Sequence, residues 1–299
     1  MSRTTRRTLN AALATAATLG LVGLAPVASG APAPFQQLPA TTTIEESLRV
    51  FGLTRDQRLV TFQTDSRESR VLGHVDGLGL DARIVGIDIR PASGQLYGLG
   101  DEGGVYTINK GSAEATRVSQ LSVPLMGTQF DIDFNPTVDL LRIISNTGQN
   151  LRHDVKMPTA VTTVDGTLTY PATTTTPAAT ATGVTAAAYT NNDADADSGT
   201  TLYDIDTNLD QLVIQSPANA GLLSANGKLT VDAGLNAGFD IYSRVVDGKA
   251  QQLRPYAVLE VDGRFGLYDV TLSNGEVSRE FTFARGQQVT DIAIPVGQL

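Results

Sequence analysis

The sequence FDIDFNP, at residues 130–136, decides the fold because close variants of it recur along the chain. VGIDIRP stands at 85–91, GFDIYS at 238–243 and VTDIAIP at 289–295. Each is a short, mostly apolar stretch bounded by turn-forming residues, which is typical of a β-strand. Recurrence of such stretches at intervals of several tens of residues indicates a repeat architecture.

Two further strands follow most of these stretches as a hairpin. Apolar and polar residues nearly alternate on both sides of a Gly, Asp or Asn turn, as paired antiparallel strands require. The hairpins occupy residues 51–65, 96–109, 141–155, 202–215 and 258–270. A weaker fourth strand is predicted after several of them, as at 115–124, 227–232 and 278–283. Four antiparallel strands per unit predict the blade of a β-propeller.

The number of first strands predicts how the ring closes. The hairpin at 51–65 has no first strand before it, whereas the strand at 289–295 has no hairpin after it. Pairing the two completes a blade and leaves no free sheet edge between the first and last units. We therefore predict an all-β single domain over residues 44–299, a β-propeller of five four-stranded blades closed by the C-terminal strand. A six-bladed ring or an open two-sheet assembly is the alternative.

The first residues predict export. Arg3, Arg6 and Arg7 precede an apolar stretch and then small residues, so residues 1–30 are predicted to be a Sec or twin-arginine signal peptide. Residues 31–43, rich in Pro, Ala and Thr, are predicted to be a flexible leader. No later stretch approaches the roughly 20 apolar residues of a membrane span. We expect a secreted protein, periplasmic if the bacterium has two membranes.

Charge and composition exclude several classes of function. The formal net charge of −9 argues against nucleic-acid binding, which depends on Lys and Arg neutralising phosphates. Without cysteine there is no disulfide, no zinc–thiolate site and no cysteine nucleophile. We expect a monomer whose partner is a protein or a glycan. The two histidines, His74 and His153, are predicted to be surface or hydrogen-bonding residues rather than catalytic ones.

Long ordered phrases carry a resemblance to a known family. The phrases include VGIDIRPASGQLYGLG (85–100), FDIDFNPTVDLLRIISNTGQNLRHD (130–154) and TLYDIDTNLDQLVIQ (201–215). In them the chain resembles the bacterial family catalogued as domain of unknown function 4394, a group of exported repeat proteins. The likeness runs from about Thr43 to the end. Because the family has no established activity, the resemblance implies no catalytic residues.

Aligned first strands place several carboxylates at equivalent positions. These are Asp88, Asp133 and Asp240 at one repeat position, and Asp131 and Asp291 two residues earlier. Residues two apart in a strand face the same side, and the innermost strands of a propeller line its channel. The five side chains are therefore predicted to surround the channel and to bind a cation or a polyhydroxylated ligand. The alternatives are buried carboxylates that accept backbone N–H groups, and a general acid–base pair.

A second acidic cluster lies in NNDADADSGTTLYD, at 191–204. Calcium prefers six to eight oxygen ligands, and carboxylates at alternate loop positions supply them. Asp193, Asp195, Asp197 and Asp204 are therefore candidate calcium ligands, with a solvated hairpin loop as the alternative.

The sequence favours a non-enzymatic binding or interaction module. The absence of a recognisable nucleophile and the low histidine content support this interpretation. A divalent-metal-assisted hydrolase or lyase that uses the channel carboxylates is the alternative.

Overall fold

A computed structural model describes residues 46–298 of the chain. The predicted signal peptide and leader lie outside these residues. The strands are β1 (Arg49–Thr54), β2 (Arg58–Gln63), β3 (Ser66–His74), β4 (Ile84–Arg90), β5 (Gln95–Gly100), β6 (Gly104–Ile108), β7 (Ala115–Gln120), β8 (Phe130–Asn135), β9 (Leu140–Ser145), β10 (Asn150–His153), β11 (Thr163–Val164), β12 (Thr169–Tyr170), β13 (Ala179–Thr180), β14 (Val184–Tyr189), β15 (Leu202–Asp206), β16 (Gln211–Gln215), β17 (Leu223–Lys228), β18 (Ala237–Val246), β19 (Lys249–Val261), β20 (Arg264–Val270), β21 (Val277–Thr282) and β22 (Val289–Ala293).

The strands form a five-bladed β-propeller, which confirms the predicted fold. Each blade is a four-stranded antiparallel sheet, and the blades have the orders β22-β1-β2-β3, β4-β5-β6-β7, β8-β9-β10-β11, β14-β15-β16-β17 and β18-β19-β20-β21. We number them blades 1 to 5 in that order. The strands β4, β8, β14, β18 and β22, called here the inner strands, lie side by side around the channel.

Blade 1 is closed as predicted, by the last strand of the described chain. β22 pairs antiparallel with β1, and Gly52 lies opposite Ile292. The ring thus closes through hydrogen bonds between segments that lie at opposite ends of the domain. Within residues 46–298, no helix has the length and apolar character needed to cross a membrane.

Hairpin turns follow the local sequence. The Asp247-Gly248 and Asp262-Gly263 pairs connect β18 to β19 and β19 to β20, and all four residues have positive φ angles between 52° and 76°. A two-residue Asp-Gly loop adopts this geometry because both central positions of a type I′ turn need positive φ. The turn fixes the register of the strands that it joins.

Apolar side chains fill the joints between neighbouring blades. Five buried clusters of the described residues correspond to the five joints. Ile87 of β4 packs with Leu53 of β1 at the joint of blades 1 and 2, for example. Each fully buried Leu or Ile contributes about 1.5–3 kcal/mol. Packing between sheets therefore holds the blades together, and the inner strands, with their few carboxylates, lie where the five blades meet.

Candidate functional site

The five predicted channel carboxylates are all buried on inner strands. Their side chains lie in two layers, and no residue among them is more than 5% exposed. Asp131 and Asp291 form the layer nearer the start of the inner strands, and Asp88, Asp133 and Asp240 form the layer two residues further along. Gly238 occupies the first-layer position of blade 5, where a methyl group would collide with the carboxylate of Asp291.

Each channel carboxylate accepts a backbone N–H from the next blade. The pairs are Ile87 N–H to Asp291 (2.7 Å), Phe134 N–H to Asp88 (2.7 Å), Ala187 N–H to Asp131 (2.9 Å), Tyr189 N–H to Asp133 (3.2 Å) and Ile294 N–H to Asp240 (2.5 Å). Asp88, Asp131 and Asp291 also accept the N–H of the residue that follows them. Four of the five joints are therefore linked by carboxylates.

The fifth joint, between blades 4 and 5, uses an amide instead. β14 has Ala186 and Ala188 at the two layer positions, so it offers no carboxylate to β18. Asn192 donates its side-chain N–H to Ile241 O (2.9 Å), and its backbone N–H donates to Ser243 Oγ (3.0 Å). These contacts connect the ends of the two inner strands where the carboxylates are missing.

Burial disfavours the ionised form of the channel carboxylates. Burial raises the pKa of Asp240 and Asp291 from 3.8 to about 7, against the effect of the N–H groups that they accept. Burial, and then the charge of neighbouring carboxylates, also raises the pKa of Asp88, Asp131 and Asp133 well above its usual range. In the described part of the chain, no ion pair involves these five residues.

Three of the carboxylates lie close enough together to share a cation. One oxygen each from Asp88, Asp133 and Asp240 lies within 4.8 Å of the other two. Calcium–oxygen distances are about 2.3–2.6 Å, so oxygens at this separation can reach one ion. The three carboxylates also accept the N–H groups that link the blades, so the cluster has a structural role without an ion.

A polar funnel opens where the inner strands begin. It is a cavity of about 270 Å³, lined at its rim by Arg55, Arg83 and Gln129 and reaching Asp291 of the channel. Arg83 directly precedes β4, and Gln129 directly precedes β8. The sequence signal for this rim is a polar residue directly before a predicted inner strand, and the predicted site residues do not include it.

The residues predicted to bind calcium are not brought together. Asp193 accepts the N–H groups of Asp195 (3.0 Å) and Ala250 (2.9 Å), and Asp195 accepts that of Asp197 (2.9 Å). Although partial burial opposes it, hydrogen bonds from Ala250 and Asp195 lower the pKa of Asp193. Asp204 is fully buried in β15. Among residues 46–298, these four form no group of three with ligand oxygens within 4.8 Å.

Asp204 lies instead in the joint between blades 3 and 4, with Ala187 and Val213 as its neighbours across the sheet. Neither of its carboxylate oxygens has a hydrogen-bond partner, and neither has the Oε1 atom of Gln215. Asp204 lies opposite Val213 in the sheet, so Gln215, two residues on, shares its face. Burial raises the pKa of Asp204 well above its usual range, and the positive charge of Arg142 only partly opposes this.

The two histidines have different surroundings. His153 is buried, with Nε2 2.7 Å from Ser119 Oγ and Nδ1 3.1 Å from Thr162 Oγ1. Ser119 also donates to Met157 O (3.1 Å) and is 3% exposed, so this pair joins β7 to the segment after β10 and is closed to a substrate. His74 is exposed beside Asp76.

Comparison with known proteins identifies a family. The sequence pattern described as "Domain of unknown function (DUF4394)" matches residues 58–293. No curated protein is significantly similar to the chain.

Several crystal structures match the chain at low identity and with TM-scores below 0.5. A chain of the nidogen/laminin complex is 11% identical, with 85% of this chain and 100% of that chain covered and a TM-score of 0.48. A structural genomics protein of unknown function from Bacteroides thetaiotaomicron VPI-5482 is 14% identical, with 83% and 65% covered and a TM-score of 0.42. An auxiliary nutrient binding protein from Bacteroides ovatus ATCC 8483 is 12% identical, with 71% and 56% covered and a TM-score of 0.38.

Proposed function

The chain belongs to the family described as domain of unknown function DUF4394, and we propose that it is an exported, non-enzymatic binding propeller whose funnel takes a small polar ligand. The observation that carries the proposal is the funnel itself. It is a polar cavity at the mouth of a ring whose wall is fixed by hydrogen bonds between blades. Its volume of about 270 Å³ lies just below the usual range of ligand cavities, so the ligand is small.

The state of the channel carboxylates supports binding rather than catalysis. A general acid or base must reach the proton that it transfers. Both oxygens of Asp291, the channel carboxylate that lines the funnel, accept backbone N–H groups, from Ile87 and Ile292. The other four are at most 5% exposed.

A comparison of two tryptophan variants tests the proposal. Gln129→Trp fills the rim of the funnel, and Gln252→Trp, on the far part of blade 5, is the control. Sugars, sugar acids and amino acids are screened by thermal shift and calorimetry. We expect one class to bind the wild type and Gln252→Trp but not Gln129→Trp, and to be recovered chemically unchanged. Absence of binding to the wild type, or binding that survives in Gln129→Trp, would refute the proposal.

A second candidate function is a divalent-metal-assisted hydrolase or lyase. The short distances between the carboxylate oxygens of Asp88, Asp133 and Asp240 favour it. In that case the ion would be held by these three carboxylates. A thermal midpoint that rises with the metal and loses the rise in Asp133→Asn would support it.

A further inference from the structure

Two arginines at the rim of the funnel differ from the arginines that stabilise the fold. Arg142 is buried and its guanidinium donates to Tyr189, Asn150, Asp165 and Asn219. By contrast, the guanidinium groups of Arg55 and Arg83 donate no hydrogen bond to any residue in the described part of the chain. Their side chains are 59% and 56% exposed.

The rim arginines are nevertheless held in position. Arg55 lies over the ring of Phe265, 5.1 Å from its centroid, and 3.5 Å from Glu260. Arg83 lies 3.6 Å from Asp101. These acids make their short hydrogen bonds elsewhere: Glu260 accepts from Asn236 (2.9 Å) and Asp101 accepts from Ala82 (2.8 Å). The guanidinium N–H groups therefore remain available to a ligand.

Several polar groups that line the funnel already have hydrogen-bond partners within the chain. Gln57 Oε1 accepts the N–H of Ile84 (2.7 Å), and its amide donates to Ile84 O (3.1 Å). The carboxylate of Asp291 accepts two backbone N–H groups. The Thr290 hydroxyl donates to Leu53 O (3.2 Å). Among the described residues, the guanidinium groups of Arg55 and Arg83 thus remain charged donors of the cavity without a hydrogen bond, which matches a ligand with acceptor oxygens.

From these two guanidinium groups we propose that the ligand is a small carboxylate-bearing polyol, of which a uronic acid is the representative. The inference rests on the proposed binding function. A guanidinium presents a planar fork of N–H groups that matches a carboxylate in two parallel hydrogen bonds. Arg55 and Arg83 bind the carboxylate, and the amide of Gln129, which makes no hydrogen bond in the described residues, binds a hydroxyl. The cavity volume limits the ligand to about one sugar ring.

Galacturonate and galactose are a matched pair of probes because they differ only in the carboxylate at C6. Calorimetry on the wild type should show that galacturonate binds at least about tenfold more tightly than galactose, as hydrogen bonds to a charged group are the stronger ones. Arg55→Gln and Arg83→Gln should each weaken galacturonate about tenfold or more and change galactose less than about twofold. Arg244→Gln, an equal change of charge at the far end of β18, should change neither. Circular dichroism and the thermal midpoint confirm that each variant is folded.

The outcomes separate this inference from the function on which it rests. Equal binding of both sugars, lost in Gln129→Trp, would overturn the carboxylate preference and leave the binding function standing. If neither sugar binds but another class of ligand in the wider screen does, the carboxylate preference is again overturned and the binding function stands. Competition by inorganic sulfate as strong as that by galacturonate would show that the site recognises an anion alone, which overturns the polyol part. No ligand in the whole screen would overturn both.

Discussion

Replacing Asp204 by Asn should stabilise the protein, and the gain should grow with pH. Asp204 is fully buried in β15, and neither of its oxygens has a hydrogen-bond partner. Gln215, on the same face of the sheet, has an acceptor without a donor. We expect the proton that Asp204 keeps below its raised pKa to be the only donor that the wild-type side chain can offer. Asp204→Asn supplies N–H donors permanently and has no charge to bury.

The charges around Asp204 set the sign of the effect. Arg142 and Arg152 both bind Asp165, and Asp206 accepts the hydroxyl of Tyr170 (2.6 Å). The two positive and two negative charges balance, so an ionised Asp204 would add an uncompensated charge. Its raised pKa contributes stability that is fully present below the unfolded value of 3.8 and is lost as pH rises through the folded value.

An unsatisfied buried acceptor costs about 1–3 kcal/mol, and more when charged. We therefore expect Asp204→Asn to raise the free energy of unfolding at pH 8 by about 1–3 kcal/mol. For a domain of this size, each kcal/mol of added stability raises the thermal midpoint by roughly 2–4 °C. Both proteins contain the same channel carboxylates, so the effect of their titration drops out of the difference between the two thermal midpoints.

Thermal midpoints of the two proteins between pH 4.5 and pH 9 provide the assay. Asp206→Asn is the matched control, because Asp206 accepts the N–H groups of Asn208 (3.0 Å) and Leu209 (3.1 Å) and should be needed as an acceptor at every pH. The reasoning is wrong if Asp204→Asn is destabilising at pH 8, or if its advantage over the wild type does not increase with pH.

Four further predictions concern the ring. Asp88→Ala leaves the buried N–H groups of Ile89 and Phe134 without acceptors, so denaturant unfolding should show a loss of roughly 2–6 kcal/mol; an unchanged free energy would mean that the link is not stabilising. Removing residues 289–299 should abolish the cooperative thermal transition, and a retained transition would contradict closure by β22. Because the pKa of Asp240 and Asp291 is raised to about 7, the thermal midpoint of the wild type should be higher at pH 5.5 than at pH 8.5. A lower midpoint at pH 5.5 would show that the folded ring is more stable with these carboxylates ionised. Millimolar calcium should leave the midpoint where EDTA leaves it, since Asp193 and Asp195 already accept backbone N–H groups; a rise of several degrees that Asp195→Ala removes would place calcium in the loop.

Sequence patterns predicted the blades well because each blade repeats a period-two alternation with turn residues at fixed places. They failed where local preference and tertiary position disagree. The apolar stretch at 227–232 was predicted to be the outer strand of blade 4, but β17 is Leu223–Lys228. Thr230 has a positive φ of 65°, so the chain turns where β-branched residues favour a strand.

The candidate site was predictable only in part. Alignment of the repeats placed five carboxylates on the inner strands, since equivalent positions in equivalent strands face the same channel. It did not show which N–H each oxygen accepts, because that depends on the stagger between blades. The alignment also did not single out Asn192, which replaces the carboxylate link of blade 4, or Arg55 and Arg83 at the rim. Asp204 was proposed as a calcium ligand from its spacing alone, and the structure places it in β15, facing a blade joint.

The pairing of β22 with β1 has a consequence for the timing of folding during synthesis. Thr290 and Leu53, which are hydrogen-bonded, lie 237 residues apart in the chain. A ribosome releases the N-terminal residues first, at about 5–20 residues per second. The sheet of β1 to β3 therefore lacks its inner strand until β22 has been synthesised, which takes roughly tens of seconds at this rate. The first part of the domain to be made is thus the last to be finished, and during that interval its open edge is the segment that a chaperone must cover.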